Sequence, residues 1–222
     1  MREAHANKIV ERRQAVGRFE SVDHFHAQTG LPVHVISRLA QADAFGSLPA
    51  NRRTALWKTL ALPDERLPFT AIPRETQPLL PLMPLKEEVL TDYRMTGFSL
   101  KTHPLAMLRE ELAKKGIVSS ADLACQDQGR WVKVAGLVLI RQRPGTASGI
   151  VFETLEDETG VVNLIIRPPV YERYRSAARH AGLVEAHGYV ERQGQVIHVM
   201  VVRMNDISDC LKGFQLHSRD FH

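Results

Sequence analysis

Six of the twelve prolines, Pro63, Pro68, Pro73, Pro78, Pro81 and Pro84, crowd into a single short stretch of the chain. Each fixes φ and removes an amide donor, so neither a helix nor a central strand persists through them. Residues 62–85 therefore read as a linker. A chain of 222 residues cut in this way folds as more than one unit, and the hydrophobic period differs on the two sides of the cut.

Before the linker the period is helical. Ser21-Val22-Asp23-His24-Phe25 opens like a capped helix, Gly30-Leu31-Pro32 breaks it, and Val33, Ile36, Leu39 and Ala40 stripe one face of a second helix. A second tight turn follows at 42–48, and Asn51 caps a helix whose first turn carries Arg52 and Arg53. This weak repeat predicts helix-hairpin-helix units over 1–61. In that arrangement hairpin amides and the next helix's N-terminus take a duplex phosphate without reading sequence. Gly30, Leu31 and Gly46 are the candidate amide donors, and Arg38, Arg52 and Arg53 the candidate cations. Plain helix packing explains the same pattern, and both readings stay open.

After the linker, 86–127 reads as a helical connector with helices at 86–95 and 104–115, the second ended by Gly116. From Arg130 the pattern becomes β: strands at 131–143, 150–155, 161–167, 183–191 and 196–204, with one helix at 170–181. The order βββ-α-ββ over 128–208 is that of a five-stranded OB barrel, and 209–222 is a tail. The fold class expected is thus α+β and multidomain: helix-hairpin-helix domain, helical connector, OB-fold barrel.

An OB barrel takes single strands across its second and third strands, between the loops joining strands one to two and four to five, here 144–149 and 192–195. Arg141 and Arg143 stand at the first loop's entrance, Gly145 lets a chain come close, and Thr146 and Ser148 offer hydroxyls. Lys133, Arg167 and Arg192 complete the candidate cations; from Arg130 to Phe152 there are four basic residues and no acid. Phe152 is either a base-stacking platform or barrel interior, with Trp131 and Tyr189 behind it.

Other chemistries lack their residues. Glu156, Asp157 and Glu158 alternate in direction along a strand and do not converge on one metal, and Asp157 is expected to bond local amides in a turn. Walker, H-E-x-x-H and G-x-S-x-G patterns are missing. Cys125 and Cys210 give neither a disulfide framework nor a zinc set and are expected as buried or idle thiols. The net charge of +4 leaves a polyanion partner open. No apolar run approaches the 18 to 20 residues or so of a membrane span, and Met1-Arg2-Glu3-Ala4-His5 is no signal sequence, so a cytoplasmic protein is expected.

Val134 to Gly160 closely resembles the OB domain of bacterial error-prone DNA polymerases, relatives of the polymerase III alpha subunit. Phe19-Glu-Ser-Val-Asp23, Thr29-Gly-Leu-Pro32, Leu39 to Phe45 and Arg53-Thr-Ala-Leu-Trp57 resemble that family's helix-hairpin-helix region. Asp92-Tyr-Arg-Met-Thr-Gly97 with His103-Pro104 resembles its connector, and Ser218-Arg-Asp-Phe221 its terminal tail. The resemblance implies a DNA-directed polymerase of damage-induced mutagenesis and lesion bypass. It also implies that the PHP and palm regions, with any Mg²⁺, lie outside this chain, which reads as a C-terminal fragment or truncated relative. Partners implied are single-stranded and duplex DNA, a Y-family-like polymerase, a recombinase-like accessory protein and the sliding clamp, with no membrane. An RNA or tRNA module and a protein-interaction barrel remain the alternative readings.

Overall fold

A computed structural model describes residues 2–62, 80–146, 148–194, 196–211 and 219–221, so most of the expected linker (63–79) and of the expected tail (212–218, 222) lies outside the described residues. The chain divides into two compact units, residues 1–96 and 97–222.

The first unit holds α1 (Glu3–Val16), α2 (Val22–Thr29), α3 (Val33–Gln41), α4 (Arg52–Leu60) and α5 (Leu85–Thr96). Ser21 caps α2 by accepting the His24 amide at 3.0 Å, and Asn51 caps α4 by accepting that of Thr54 at 2.9 Å. Gly30 ends α2 in the left-handed region (φ 54°), which lets the chain reverse within two residues into α3. The core gathers Val22, Phe25, Leu31, Val35, Ile36, Ala40, Phe45 and Ala55. Phe19, Phe25 and Phe45 stack edge to face at 4.9 and 5.1 Å between centroids. At about 1.5–3 kcal/mol for each large apolar side chain buried, this cluster stabilises the hairpin far more than helix propensity does. α1 buries no residue, which is why its sequence carries no apolar stripe to announce it. α5, expected within the connector, packs in this unit through a buried ion pair between Asp92 and Arg52.

The second unit begins with a 3₁₀ turn (Pro104–Met107), α6 (Arg109–Lys114), β1 (Ile117–Val118) and α7 (Ser120–Ala124), the last held by a reciprocal capping box between Ser119 and Asp122. Then come β2 (Trp131–Gln142), β3 (Val151–Asp157), β4 (Gly160–Ile166), α8 (Pro168–Arg173), α9 (Arg175–His180), β5 (Leu183–Gln193), β6 (Val196–Asp206), a 3₁₀ turn (Ser208–Leu211) and β7 (Arg219–Phe221). β2, β3, β4, β6 and β5 are hydrogen-bonded in that order, and β5 returns to β2, so five strands close a barrel of OB topology. β4 and β6 pair in parallel, the other barrel pairs antiparallel. β1 and β7 add to β2 from outside.

Closure depends on β2 serving two neighbours. Trp131 to Leu137 pairs with β5 and Leu137 to Gln142 with β3, and a bulge between Val138 and Ile140 turns the strand. A glycine sits where each bend brings backbone together. A Cβ on Gly136 would stand 2.6 Å from that of Leu155, and one on Gly188 would stand 2.1 Å from the Met200 carbonyl oxygen. The interior is Val132, Val134, Val138, Val151, Leu155, Val162, Leu164, Ile166, Val184, Ala186, Val190, Val199, Val201 and Met204, with α9 closing over it through Ala177 and Ala178.

Candidate nucleic-acid interface

In the first unit the hairpin's own amides are consumed. The Gly30 amide donates to the His26 carbonyl at 2.7 Å, that of Leu31 to the Thr29 hydroxyl at 3.4 Å, and that of Gly46 to the Asp43 carbonyl at 3.1 Å. These three amides, expected to present donors to a phosphate, are therefore already engaged within the chain. α3 starts on Pro32, which offers no side-chain cap, and among the described residues no acceptor meets the amides of Val33 and His34. Two open donors at the positive end of a helix suit an anion without demanding any sequence of it. The signal was present in the sequence, since a proline at the N-cap position cannot accept an amide hydrogen through its side chain.

Of the three cations expected beside the hairpin, only Arg38 stands exposed with no ion pair among the described residues. Arg52 is 2 % exposed, paired with Asp92, 3.6 Å from Asp43 and hydrogen-bonded to the Glu88 carbonyl at 3.0 Å. It holds α4 to α5 instead of facing solvent, with both terminal guanidinium nitrogens engaged and Nε left without an acceptor among the described residues. Arg53 reaches the carboxylate of Glu87 at 2.9 Å and the Pro81 carbonyl at 3.2 Å.

The barrel sorts its expected contacts in the same way. Arg141 points inward just past the bulge, is 9 % exposed, lies 3.4 Å from the buried carboxylate of Glu153 and donates to the Ala181 carbonyl. It is a structural arginine and not the phosphate contact expected. Arg192 is exposed, but its guanidinium donates to the carbonyls of Ala124 and Gln126 at 2.6 and 2.8 Å, stapling the β5–β6 hairpin to the segment after α7. Lys133 donates to the Lys115 carbonyl at 3.1 Å. Arg143 has no ion pair among the described residues: it is exposed, and its guanidinium carbon lies 5.2 Å from the centre of the Tyr171 ring on α8. Arg167, exposed at the N-cap of α8, follows Ile166, whose partner Val151 leaves the loop. Gly145, Thr146 and Ser148 are exposed between them, Ser148 in the left-handed region (φ 51°).

The loop and the 192–196 hairpin bracket the outer face of β3 and β4. Asn163 pairs with His198, so Val196 at the hairpin lies level with Val161, while the 143–149 loop adjoins the Ile166 end. Between these ends the half-buried Phe152, Thr154, Asn163 and Ile165 face outward, since Val151, Glu153 and Leu155 alternate with them into the barrel. Phe152 therefore lies on the outer surface and not in the interior.

The turn beneath this face is a polar clamp. Asp157 accepts the amides of Ser120, Thr159 and Gly160 at 2.7, 2.8 and 3.0 Å, as its place in an acid-rich turn predicts. Burial acts to raise its pKa, but the hydrogen bonds from Thr159 and Ser120 outweigh it and hold the carboxyl below its ordinary value. Arg109 pairs with Glu158 and reaches Asp157 at 3.4 Å, fastening α6 to the barrel. Burial lowers His103 from 6.5, opposed by Glu158 and Asp157, and its neutral Nδ1 accepts the Leu105 amide at 3.1 Å. Glu156 is raised by burial and by Asp157. Among the described residues no group of three or more His, Cys, Asp or Glu side chains is placed to hold a metal ion. Cys125 and Cys210 are free thiols, and both are exposed, so of the two expected states the buried one is excluded. No helix of the described residues is long and apolar enough to cross a membrane.

Residues 1–55 match the family model described as a helix-hairpin-helix motif. Over 96 % of its length the chain is 41 % identical to error-prone DNA polymerase 1 of Rhizobium meliloti (strain 1021). Over the same share it is 44 % identical to the error-prone DNA polymerase of Bradyrhizobium diazoefficiens. It spans only 20 % and 19 % of those two proteins. Among solved structures, asparaginyl-tRNA synthetase from Pyrococcus horikoshii complexed with asparaginyl-adenylate aligns at TM-score 0.36 and 23 % identity, covering 41 % of this chain and 22 % of that one.

Proposed function

We propose that this chain, a homologue of the error-prone DNA polymerases along nearly its whole length, forms a DNA-holding part of such an enzyme and does not itself transfer nucleotides. The observation that carries this reading is identity of 37–44 % over 91–98 % of the chain to proteins of that name. The open amides of Val33 and His34, with Arg38 nearby on α3, suit the phosphates of a duplex. The outer face of β3 and β4, with Phe152 and the exposed cations Arg143 and Arg167, suits a single strand such as an unpaired template.

Nucleotidyl transfer needs Mg²⁺ held by clustered carboxylates. Among the described residues no group of three or more His, Cys, Asp or Glu side chains is so placed, and the reading assigns that ion to a catalytic part of a longer polypeptide. Damage-induced mutagenesis and translesion synthesis are the setting proposed, in the cytoplasm, with a Y-family-like polymerase, a recombinase-like accessory protein and the sliding clamp as partners.

Fluorescence anisotropy with labelled single-stranded DNA, duplex DNA and RNA of equal length, at two salt concentrations, tests the reading. It predicts binding of both DNA forms that weakens as salt rises, with RNA weaker than single-stranded DNA. Absence of binding at either salt favours a protein-interaction barrel, and preference for RNA favours an RNA module.

A further inference from the structure

The barrel carries a second aromatic surface away from the β3–β4 face. Register partners taken strand by strand run Phe152, Ile165, Met200, Tyr189 and Trp131, on β3, β4, β6, β5 and β2 in turn. The row winds round the outside of the barrel, because Val151, Leu164, Ile166, Val199, Val201, Val190 and Val132, next to it along the strands, belong to the interior. Its far end is the most open. Trp131 and Tyr189 are 41 % and 48 % exposed and meet edge to face at 4.8 Å between centroids, so each ring braces the other while much of both side chains stays open to solvent.

Two such rings on an outer strand surface contribute nothing to the core and offer flat apolar area at little cost in side-chain freedom. Their borders are mainly cationic, with Glu191, two residues beyond Tyr189 on the same outer face of β5, as a bordering acid. Arg130 precedes Trp131 and is exposed, and one step along the strands Lys133 pairs with His187, which pairs with the exposed Arg203. Neither Arg130 nor Arg203 has an ion pair among the described residues, and the nearest acid on that step, Glu185, is taken up by His187 at 2.6 Å. Flat rings between uncompensated cations fit a base with its flanking phosphates, whereas an apolar protein partner would leave those charges without partners at its rim.

We infer that Trp131 and Tyr189 form a base-stacking subsite for single-stranded DNA on the β2–β5 face, reached from Phe152 along the apolar row and bordered by Arg130 and Arg203. The inference rests on the DNA-holding reading and extends it: a strand crossing the β3–β4 face continues round the barrel instead of leaving it at β4. The subsite takes any base, because stacking uses the π face and no base edge is read.

The full chain has two tryptophans, so Trp57→Phe leaves Trp131 as the sole indole reporter. Titrating that variant with oligothymidine while following both anisotropy and tryptophan emission separates the two ideas. Emission that is quenched in step with the anisotropy, together with an affinity loss of about 5- to 150-fold in Trp131→Ala at unchanged salt slope, supports the subsite. Trp131→Phe keeps a ring and is expected to recover most of the loss. Anisotropy that saturates while Trp131 emission stays constant overturns the subsite and leaves the DNA-holding reading standing. No binding in the anisotropy overturns both.

Discussion

Among the described residues each unit buries one arginine and leaves several exposed, and the two units leave different kinds of group open to a ligand. In the helical unit Arg52 is sealed between α4 and α5, and the groups left open to a ligand are backbone amides at the head of α3. In the barrel Arg141 is sealed against Glu153, and the open groups are side chains: Arg143, Arg167 and the outward aromatics. Backbone donors suit the regular phosphates of a duplex, while rings require bases already unstacked. The contrast teaches that a count of arginines says little about where a polyanion lies until the buried ones are removed from it.

The largest effects are expected at the two buried arginines. Arg141→Ala leaves the Glu153 carboxylate, 1 % exposed, without its cation, and is expected to destabilise the barrel unit by about 3–5 kcal/mol. Arg52→Ala is expected to cost the helical unit a similar amount. Arg143→Ala, by contrast, stays within about 0.5 kcal/mol of the parent. Urea unfolding followed by far-ultraviolet circular dichroism checks all three, and an unchanged midpoint in Arg141→Ala would remove the structural role given to it.

A smaller effect sharpens the helical side. Asn51→Ala loses the cap of α4 and is expected to cost about 1 kcal/mol in the same measurement, with Asn51→Asp retaining stability. Smaller still is a pH effect confined to the barrel unit. His103 is held neutral below its ordinary value, so the unfolded chain takes up its proton first. Stability is therefore complete above pH 6.5 and declines as pH falls through that value toward the folded pKa. The depressed Asp157 adds a further loss below the ordinary carboxylate range, and the raised Glu156 contributes with the opposite sign. Melting temperatures between pH 7.5 and 5.5 are expected to fall, and His103→Asn, which keeps an acceptor for the Leu105 amide, is expected to flatten that slope.

The strands were legible because strict alternation and turn residues mark them, and β2 to β6 lie within a few residues of their predicted spans. Hairpin helices with caps were legible for the same local reasons. What escaped depends on partners distant in sequence. Arg141 turns inward only because the bulge at 138–140 shifts its face, yet a clue lay in Glu153: an acid at an inward position between Val151 and Leu155 requires a cation opposite. Arg52 meets Asp92 forty residues on, with no local mark of the pairing. Arg192 has the local sequence of a loop cation, because the carbonyls that capture it belong to the segment 124–126.

Duplex and single strand are proposed to be held by different units through different groups. Val33→Pro tests the first half cleanly: proline is tolerated at the first helical position, Pro32 already has the extended conformation that must precede it (ψ 142°), and the change deletes one open amide. The paired change Arg143→Ala with Arg167→Ala tests the second. Measured against duplex and single-stranded DNA by anisotropy, Val33→Pro is predicted to weaken duplex binding about tenfold and spare the single strand. The arginine pair is predicted to weaken single-strand binding, with a salt slope shallower by about 1.4, and to spare the duplex. Equal losses on both forms of DNA from either change, or no loss from both, would contradict the division.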